Sequence, residues 1–341
     1  MAVQRRIPAD RGLTARMLLT AFLIGLLYVV LVGGLILYTR LSSIAIIVIA
    51  GGLFLLQFMF SDKIALFSMG GREVTPEQAP ELHAIIDRLC ALADMRKPRV
   101  AIANTDVPNA FATGRDPRHA VVCATTGIMR RLDERELEAV LAHEISHVAH
   151  RDVMVMTIAS FLGILAGLMT RMFMFAGLFG GFGGGYGGGG YGGGGGGGNN
   201  SQSQLAMFEL GAILVSMIIY LISFVLTMAL SRYRELAADR SGAILIGQPA
   251  LLATALVKVT GEMARVPTRD LRAAEHFNAF YFSPARRPGE LDMQFLSGLH
   301  GGQGATQPRQ HFGVASLFST HPPLQKRLAQ LEKLQAEMDQ A

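Results

Sequence analysis

Residues 17–38, MLLTAFLIGLLYVVLVGGLILY, contain no charged side chain. At about 1.5 Å per helical residue, the run can cross the roughly 30 Å hydrocarbon core of a bilayer. A helix on the surface of a soluble core keeps a polar face, so an all-round apolar stretch this long narrows the possible folds more than any other feature. Residues 41–60 form a second block, marked only by Ser42, Ser43 and Gln57; residues 153–170 form a third and 210–230 a fourth. Arg171 and Glu209 bound the second pair, where they either snorkel to the interface or cap a re-entrant hairpin. The blocks also explain why only 17% of the 341 residues are charged, against roughly 25% in soluble domains. The first block does not read as a cleaved leader. It is too long for the apolar part of one, lacks a small-x-small exit, and runs at once into another block.

The net charge of +5 is no sign of nucleic-acid binding, because much of it sits at the ends of the apolar blocks. Arg5, Arg6, Arg11 and Arg16 precede the first block and place the N-terminus in the cytoplasm. A turn near Arg40 returns the chain at about Ser61, ahead of Asp62 and Lys63. The third and fourth blocks go out and back, so that Arg232, Arg234 and Arg240 lie on the cytoplasmic side again. The expected organisation is therefore an N-terminal tail and transmembrane hairpin over 1–60, the first part of a cytoplasmic domain over 61–152, a second hairpin over 153–230, and the rest of that domain over 231–341. Cys90 and Cys123, the only cysteines, are expected to be free thiols in such a reducing compartment. Residues 180–198 are nearly pure glycine and read as a tether between the third and fourth spans. No Gly-Lys-Ser/Thr follows them, which argues against a phosphate-cradling loop.

The polar segments read as α+β. Leu82, Ile85, Ile86, Leu89 and Leu92 fall at helical spacing within 77–95. Arg99–Ala103 is a short strand, and Asn109–Gly114 and His119–Ala124 are two more, joined by a turn through Asp116-Pro117. Asp133 followed by Glu136 opens a helix in the manner of a capping box. That helix is expected to run on through Arg151-Asp152 toward the third span. Further helices are expected over 250–264 and 322–338, with a long loop over 285–313.

The helix that opens at Asp133 carries His143-Glu144-Ile145-Ser146-His147. Residues four apart share a helical face, so both imidazoles can point at one metal ion with Glu144 beside its bound water. This is the zincin arrangement, two His ligands with a Glu as general base. The plain alternative is a surface helix with two solvated histidines. Catalytic zinc generally takes three protein ligands and leaves one position open. A metzincin completion fails, because His150 stands where Gly is needed and Val153 where His is needed. His150 is one candidate for the third ligand. Glu235 is the better one, on a helix where the fourth span emerges, at the depth where the third span starts. Its plain alternative is an exposed charge pairing with Arg232 or Arg240. Asp239, one turn further on, is placed to orient His143 or His147 from behind.

LAHEISHVAHRD at 141–152, followed after two apolar blocks by SRYRELAADRSGA, closely resembles the HtpX-like membrane zinc metalloproteases, relatives of the CAAX prenyl proteases. PNAFATG at 108–114, EHFNAFYFSP at 275–284 and FSTHPPLQKRL at 318–328 extend the likeness over most of the chain. The glycine tract and the 285–313 segment look extended relative to the family core. The resemblance implies a mainly α integral membrane protein with four transmembrane helices and a cytoplasmic α+β domain of zincin type carrying a small β-sheet. It implies one Zn2+ per chain on His143, His147 and Glu235, with Glu144 catalytic and Asp239 behind the ligands. Asn109, Ala110 and Phe111 would lie on an edge strand that takes an extended peptide. His321 and Arg327 would lie near the site, where a donor stabilises the oxyanion. The implied function is an endopeptidase of the bacterial inner membrane, acting from the cytoplasmic side on misfolded or damaged membrane proteins as part of a stress response. The expected partners are polypeptides and the lipid bilayer, with no nucleic acid; the oligomeric state stays open. The alternatives are a CAAX-type prenyl-peptide protease and a non-catalytic zinc-binding membrane scaffold.

Overall fold

A computed structural model describes residues 11–38, 43–180, 199–263, 265–267, 282–284 and 319–340. The glycine tract beyond Gly180, the 285–313 segment and most of the 275–284 motif lie outside them. The chain divides into two compact units: one made of Met1–Leu18, Leu55–Thr157 and Met228–Ala341, the other of Leu19–Phe54 and Ile158–Thr227.

The second unit is helical and apolar. It is built from parts of α1 (Arg11–Tyr38), α2 (Ser43–Ser68), α6 (Asp152–Gly180) and α7 (Asn199–Ile246). Leu19, Phe22, Val29, Val30, Ile164, Leu168, Leu214, Val215 and Ile218 are all exposed on it, the reverse of a soluble protein's surface. Its polar groups turn inward and find partners. Tyr28 donates to Ile158 O at 2.7 Å, Thr170 and Ser216 bond each other at 2.9 Å, and Thr227 donates to Ser223 O at 2.8 Å. This is how backbone and side-chain polar atoms survive in lipid. Among the described residues, three helices are long and apolar enough to cross a membrane, over Thr14–Gly33, Asp152–Arg171 and Leu210–Ile246. The second expected block is helical too, but its apolar run Val48–Phe60 is shorter than a span.

The first unit holds the sheet. Its strands are β1 (Gly71–Glu73), β2 (Arg99–Ala103), β3 (Ala110–Thr113) and β4 (Val121–Thr125), in the order β1-β2-β4-β3. Only the β2–β4 pair is parallel. β4 is buried along its whole length, and alternation sends its side chains to two faces. Val122 and Ala124 join the main core, while Val121 and Cys123 join Ala101, Ala103 and Phe111 on the other side. The main core is closed by α3 (Pro80–Leu92), α4 (Thr126–Arg131), α5 (Glu134–Ala149), α8 (Pro249–Met263) and α9 (Leu324–Asp339). Leu82, Ile85, Ile86 and Leu89 of α3 pack there as their spacing predicts, but Leu92, also expected on that face, ends the helix 56% exposed. β1 and α4 escape the sequence reading: Gly-Arg-Glu has no apolar pattern and becomes a strand by pairing with β2, and α4 is a single short turn capped by Thr125. Cys90 and Cys123 are free and buried, and burial pushes their thiols up to about 11 and about 12, which leaves both protonated and unreactive.

Two helix ends differ from expectation and both shape the site. α5 does not continue into the third apolar block: it stops at His150, and Arg151 takes φ 56° before α6 starts at Asp152. A left-handed conformation costs a non-glycine residue about 1–2 kcal/mol, so tertiary contacts must hold this break. At the other end of the apolar region there is no break at all. α7 passes uninterrupted through Ser231 to Ile246, where Gly247 at φ 72° ends it with its N–H on Ala243 O. A bilayer needs about 20 residues, so the C-terminal turns of this 48-residue helix are left to build something else.

Candidate active site

The capping box of α5 is formed as its sequence predicts. Asp133 accepts from Glu136 N at 2.8 Å, and Glu136 accepts from Asp133 N at 3.0 Å. With its start fixed, the helix carries His143, Glu144 and His147 into the interior of the unit. His143 is 1% exposed and Glu144 4%, so the surface-helix alternative is excluded. Glu235, on the C-terminal turns of α7, is buried as well rather than pairing outward with Arg232 or Arg240. The close approach of α7 to α5 depends on Gly242: a Cβ there would stand 2.8 Å from His143 N and 2.9 Å from its Cα. Nothing in the sequence marks Gly242, because what it avoids is a backbone about a hundred residues away.

Three side chains converge. His143 Nε2 and His147 Nε2 are 3.1 Å apart, and Glu235 oxygens lie 3.4 Å from His147 Nε2 and 3.7 Å from His143 Nε2. Ligand atoms bound at about 2.0–2.1 Å to a tetrahedral zinc stand about 3.3 Å from one another. Among the described residues, these three form the group able to hold a metal ion. The approach of two imidazole lone pairs also calls for a cation between them, or a proton on one ring. Burial lowers the pKa of His143 and so favours the neutral, ligating form. His147 is also desolvated, but contact with the Glu235 carboxylate outweighs this and raises its pKa. His150, the other candidate ligand, instead caps α5, and its carbonyl accepts from Arg234 at 3.2 Å.

Each ring is held from behind. His143 Nδ1 lies 2.9 Å from Asp239 Oδ1. Arg327 grips Asp239 twice, from Nε at 2.7 Å and Nη2 at 2.6 Å, and donates Nη1 to Phe282 O at 2.7 Å. The Phe282 ring meets His143 edge-on at 5.1 Å, and its backbone N–H donates to Asn109 Oδ1 at 2.9 Å. Arg327 is thus near the site: its guanidinium bonds Asp239 and Phe282, and its Nη1 also lies 3.8 Å from Glu235 Oε2. Asn109 supports the Phe282 backbone, and Phe111 points to the far face of the sheet. His321 stands next to the ligands, with Nδ1 3.2 Å from Glu235 Oε2. Behind His147 is a residue that sequence reasoning missed: Asp152, with Oδ2 2.6 Å from Nδ1. It became visible only once the helix was found to break at Arg151.

Glu144 accepts a hydrogen bond from Ala112 N at 2.9 Å, which ties it to β3, a terminal strand of the sheet. Burial pushes its carboxyl up to about 8. A cation at the neighbouring ligands would act in the opposite direction and favour the carboxylate.

A buried His-Glu-x-x-His helix with a carboxylate ligand from a second helix defines a class of metallopeptidase. The family model for peptidase family M48 matches residues 76–335, and the chain belongs to that family. Among its relatives are Protease HtpX homolog 1 of Streptomyces coelicolor, 48% identical over 99% of this chain and 98% of its own length, and a Protease HtpX homolog of Moorella thermoacetica, 45% identical over 99% of each. A Protease HtpX homolog of Burkholderia cenocepacia is 35% identical over 89% of this chain and 91% of its own. No solved structure matches. Together with the long apolar helices, this makes the chain a membrane-bound metalloprotease.

Proposed function

We propose that the metal is a single zinc ion held by His143, His147 and Glu235, and that the chain is an endopeptidase cutting misfolded or damaged membrane proteins from the cytoplasmic side of the bacterial inner membrane. The observation that carries the metal reading is the convergence of the two Nε2 atoms, 3.1 Å apart, with the Glu235 carboxylate, whose oxygens lie 3.4 Å from His147 Nε2 and 3.7 Å from His143 Nε2. Bound there, zinc supplies a Lewis acid for the scissile carbonyl and brings water close to ionisation. Glu144 is placed to act as the general base, accepting a proton from the attacking water and returning it to the departing amine. We assign β3, with Asn109, Ala110 and Phe111 at its start, to alignment of an extended substrate backbone. We assign His321 to the oxyanion, and Arg327 to holding Asp239 behind His143. The cytoplasmic orientation rests on Arg5, Arg6, Arg11 and Arg16 before the first apolar block, with α2 taken as a span beside the three longer apolar helices. The membrane-protein substrates rest on the chain's own apolar helices and on the relatives named Protease HtpX homolog.

Glu144→Gln tests the mechanism. It should keep full zinc content and lose about 10²–10⁴-fold in the rate of casein cleavage, the usual contribution of a general base. An unchanged rate sinks the assignment. Glu235→Ala should lose the zinc itself, and full occupancy there would move the third ligand elsewhere. A parallel assay on a prenylated peptide separates the broad reading from the narrow one: cleavage of that peptide but not casein would overturn the proposed substrate class.

A further inference from the structure

We infer that Asp152 and Arg234 are positioning residues for His147, so that the helix break at Arg151 sets the second imidazole of the site. The inference rests on the ligand set proposed above. Asp152 Oδ2 lies 2.6 Å from His147 Nδ1, within hydrogen-bond range, although Asp152 belongs to the next helix. Only the reversal at Arg151, with φ 56°, folds the first turn of α6 back far enough to make that contact. Had α5 run on, a residue five positions after His147 would have been carried about 140° around the helix from it. The carboxylate is enclosed, at 5% exposure, and so is its second partner, Arg234, at 6%. Arg234 pairs with Asp152 and donates Nη2 to His150 O, the carbonyl just before the break. One guanidinium therefore fixes both the carboxylate and the turn that presents it.

The chemistry follows from the ring. A proton held on Nδ1 by a carboxylate leaves the Nε2 lone pair free and aims it. That lone pair is the one converging with His143 Nε2 and Glu235. A carboxylate on Nδ1–H also makes the ring a stronger donor to a metal. Arg234 directly precedes Glu235 in α7. The helix that supplies the third ligand thus also secures the second one.

A purely structural role for Asp152 is the competing explanation, since an acidic residue in a first helical turn favours the helix dipole. Two readouts on the full-length, detergent-purified protein separate the two: the zinc dissociation constant by competition with a chromophoric chelator, and the melting temperature of the metal-free protein. Asp152→Ala should weaken zinc binding by about 10–100-fold. Asp152→Asn, isosteric and still an acceptor, should fall between that variant and the wild type, and Arg234→Gln should move in the same direction. Wild-type zinc affinity in Asp152→Ala overturns the inference, even with a lowered metal-free melting temperature. Should Asp152→Ala not fold, Asp152→Asn decides, and wild-type affinity there overturns it. Glu235→Ala serves as the reference. If it binds zinc as the wild type does, the ligand set itself is wrong and the inference goes with it.

Discussion

Behind His143 stand Asp239 and Arg327; behind His147 stand Asp152 and Arg234. The two arms have the same composition, an imidazole, a carboxylate and a buried guanidinium, but they are assembled in different ways. The first is joined across 88 positions of sequence, from α7 to α9, and is sealed, with Asp239 at 0% exposure and Arg327 at 2%. In the second, imidazole and carboxylate are local, five positions apart, and only the guanidinium of Arg234 comes from α7; its imidazole side chain is 14% exposed. A long-range arm depends on the whole core being in register. The His147–Asp152 contact depends on one left-handed turn, with Arg234 holding it. The difference teaches that the two proposed ligands answer to different parts of the fold, and substitutions should show it.

The largest effect is expected at Arg327→Met, which leaves Asp239 buried without its bidentate partner. Breaking a buried pair from one side costs about 3–5 kcal/mol, read as a lower midpoint in denaturant unfolding. The double variant Asp239→Leu with Arg327→Met should recover part of that loss, because no lone charge remains. If the single variant unfolds like the wild type, the sealed arm is not what holds α9 to α7.

Gly242→Ala comes next and strikes α7 where it meets the backbone of His143. The new methyl would meet the backbone of α5 at 2.8 Å, so α7 must retreat, at about 1–3 kcal/mol. Zinc affinity should fall with it while Asp152 keeps its hold on His147. Unaltered stability together with unaltered zinc binding would show that the helices can separate without disturbing His143.

Asp133→Ala is the smallest, about 1 kcal/mol from the lost cap at the start of α5. Both arms lie beyond it, so the zinc dissociation constant should stay at the wild-type value in a competition titration. A change there would mean that fraying at the start of α5 reaches the site, and that the two arms are less independent than their geometry indicates.

Much of the site could be read before any coordinates, for identifiable reasons. His143 and His147 share a face by helical period alone, with Glu144 beside them, and Glu235 and Asp239 form a second i, i+4 pair. The capping box at Asp133 and the strand Arg99–Ala103 are local patterns, and both stand where the sequence puts them. Asp152 was hidden by the assumption that α5 runs into the apolar block. No composition rule foretells a left-handed Arg151, since that conformation is disfavoured locally and only its surroundings hold it.

By itself, then, the sequence determined the elements governed by near neighbours: long apolar helices, a capped His-Glu-x-x-His helix, and a carboxylate pair on another. Which groups meet was decided only in three dimensions. Arg327 turning to Asp239, Phe282 against His143, Gly242 admitting one helix to another, and Arg234 reaching Asp152 are contacts between distant residues. Their energies come from burial and close packing. Those terms exist only once the chain has closed around them.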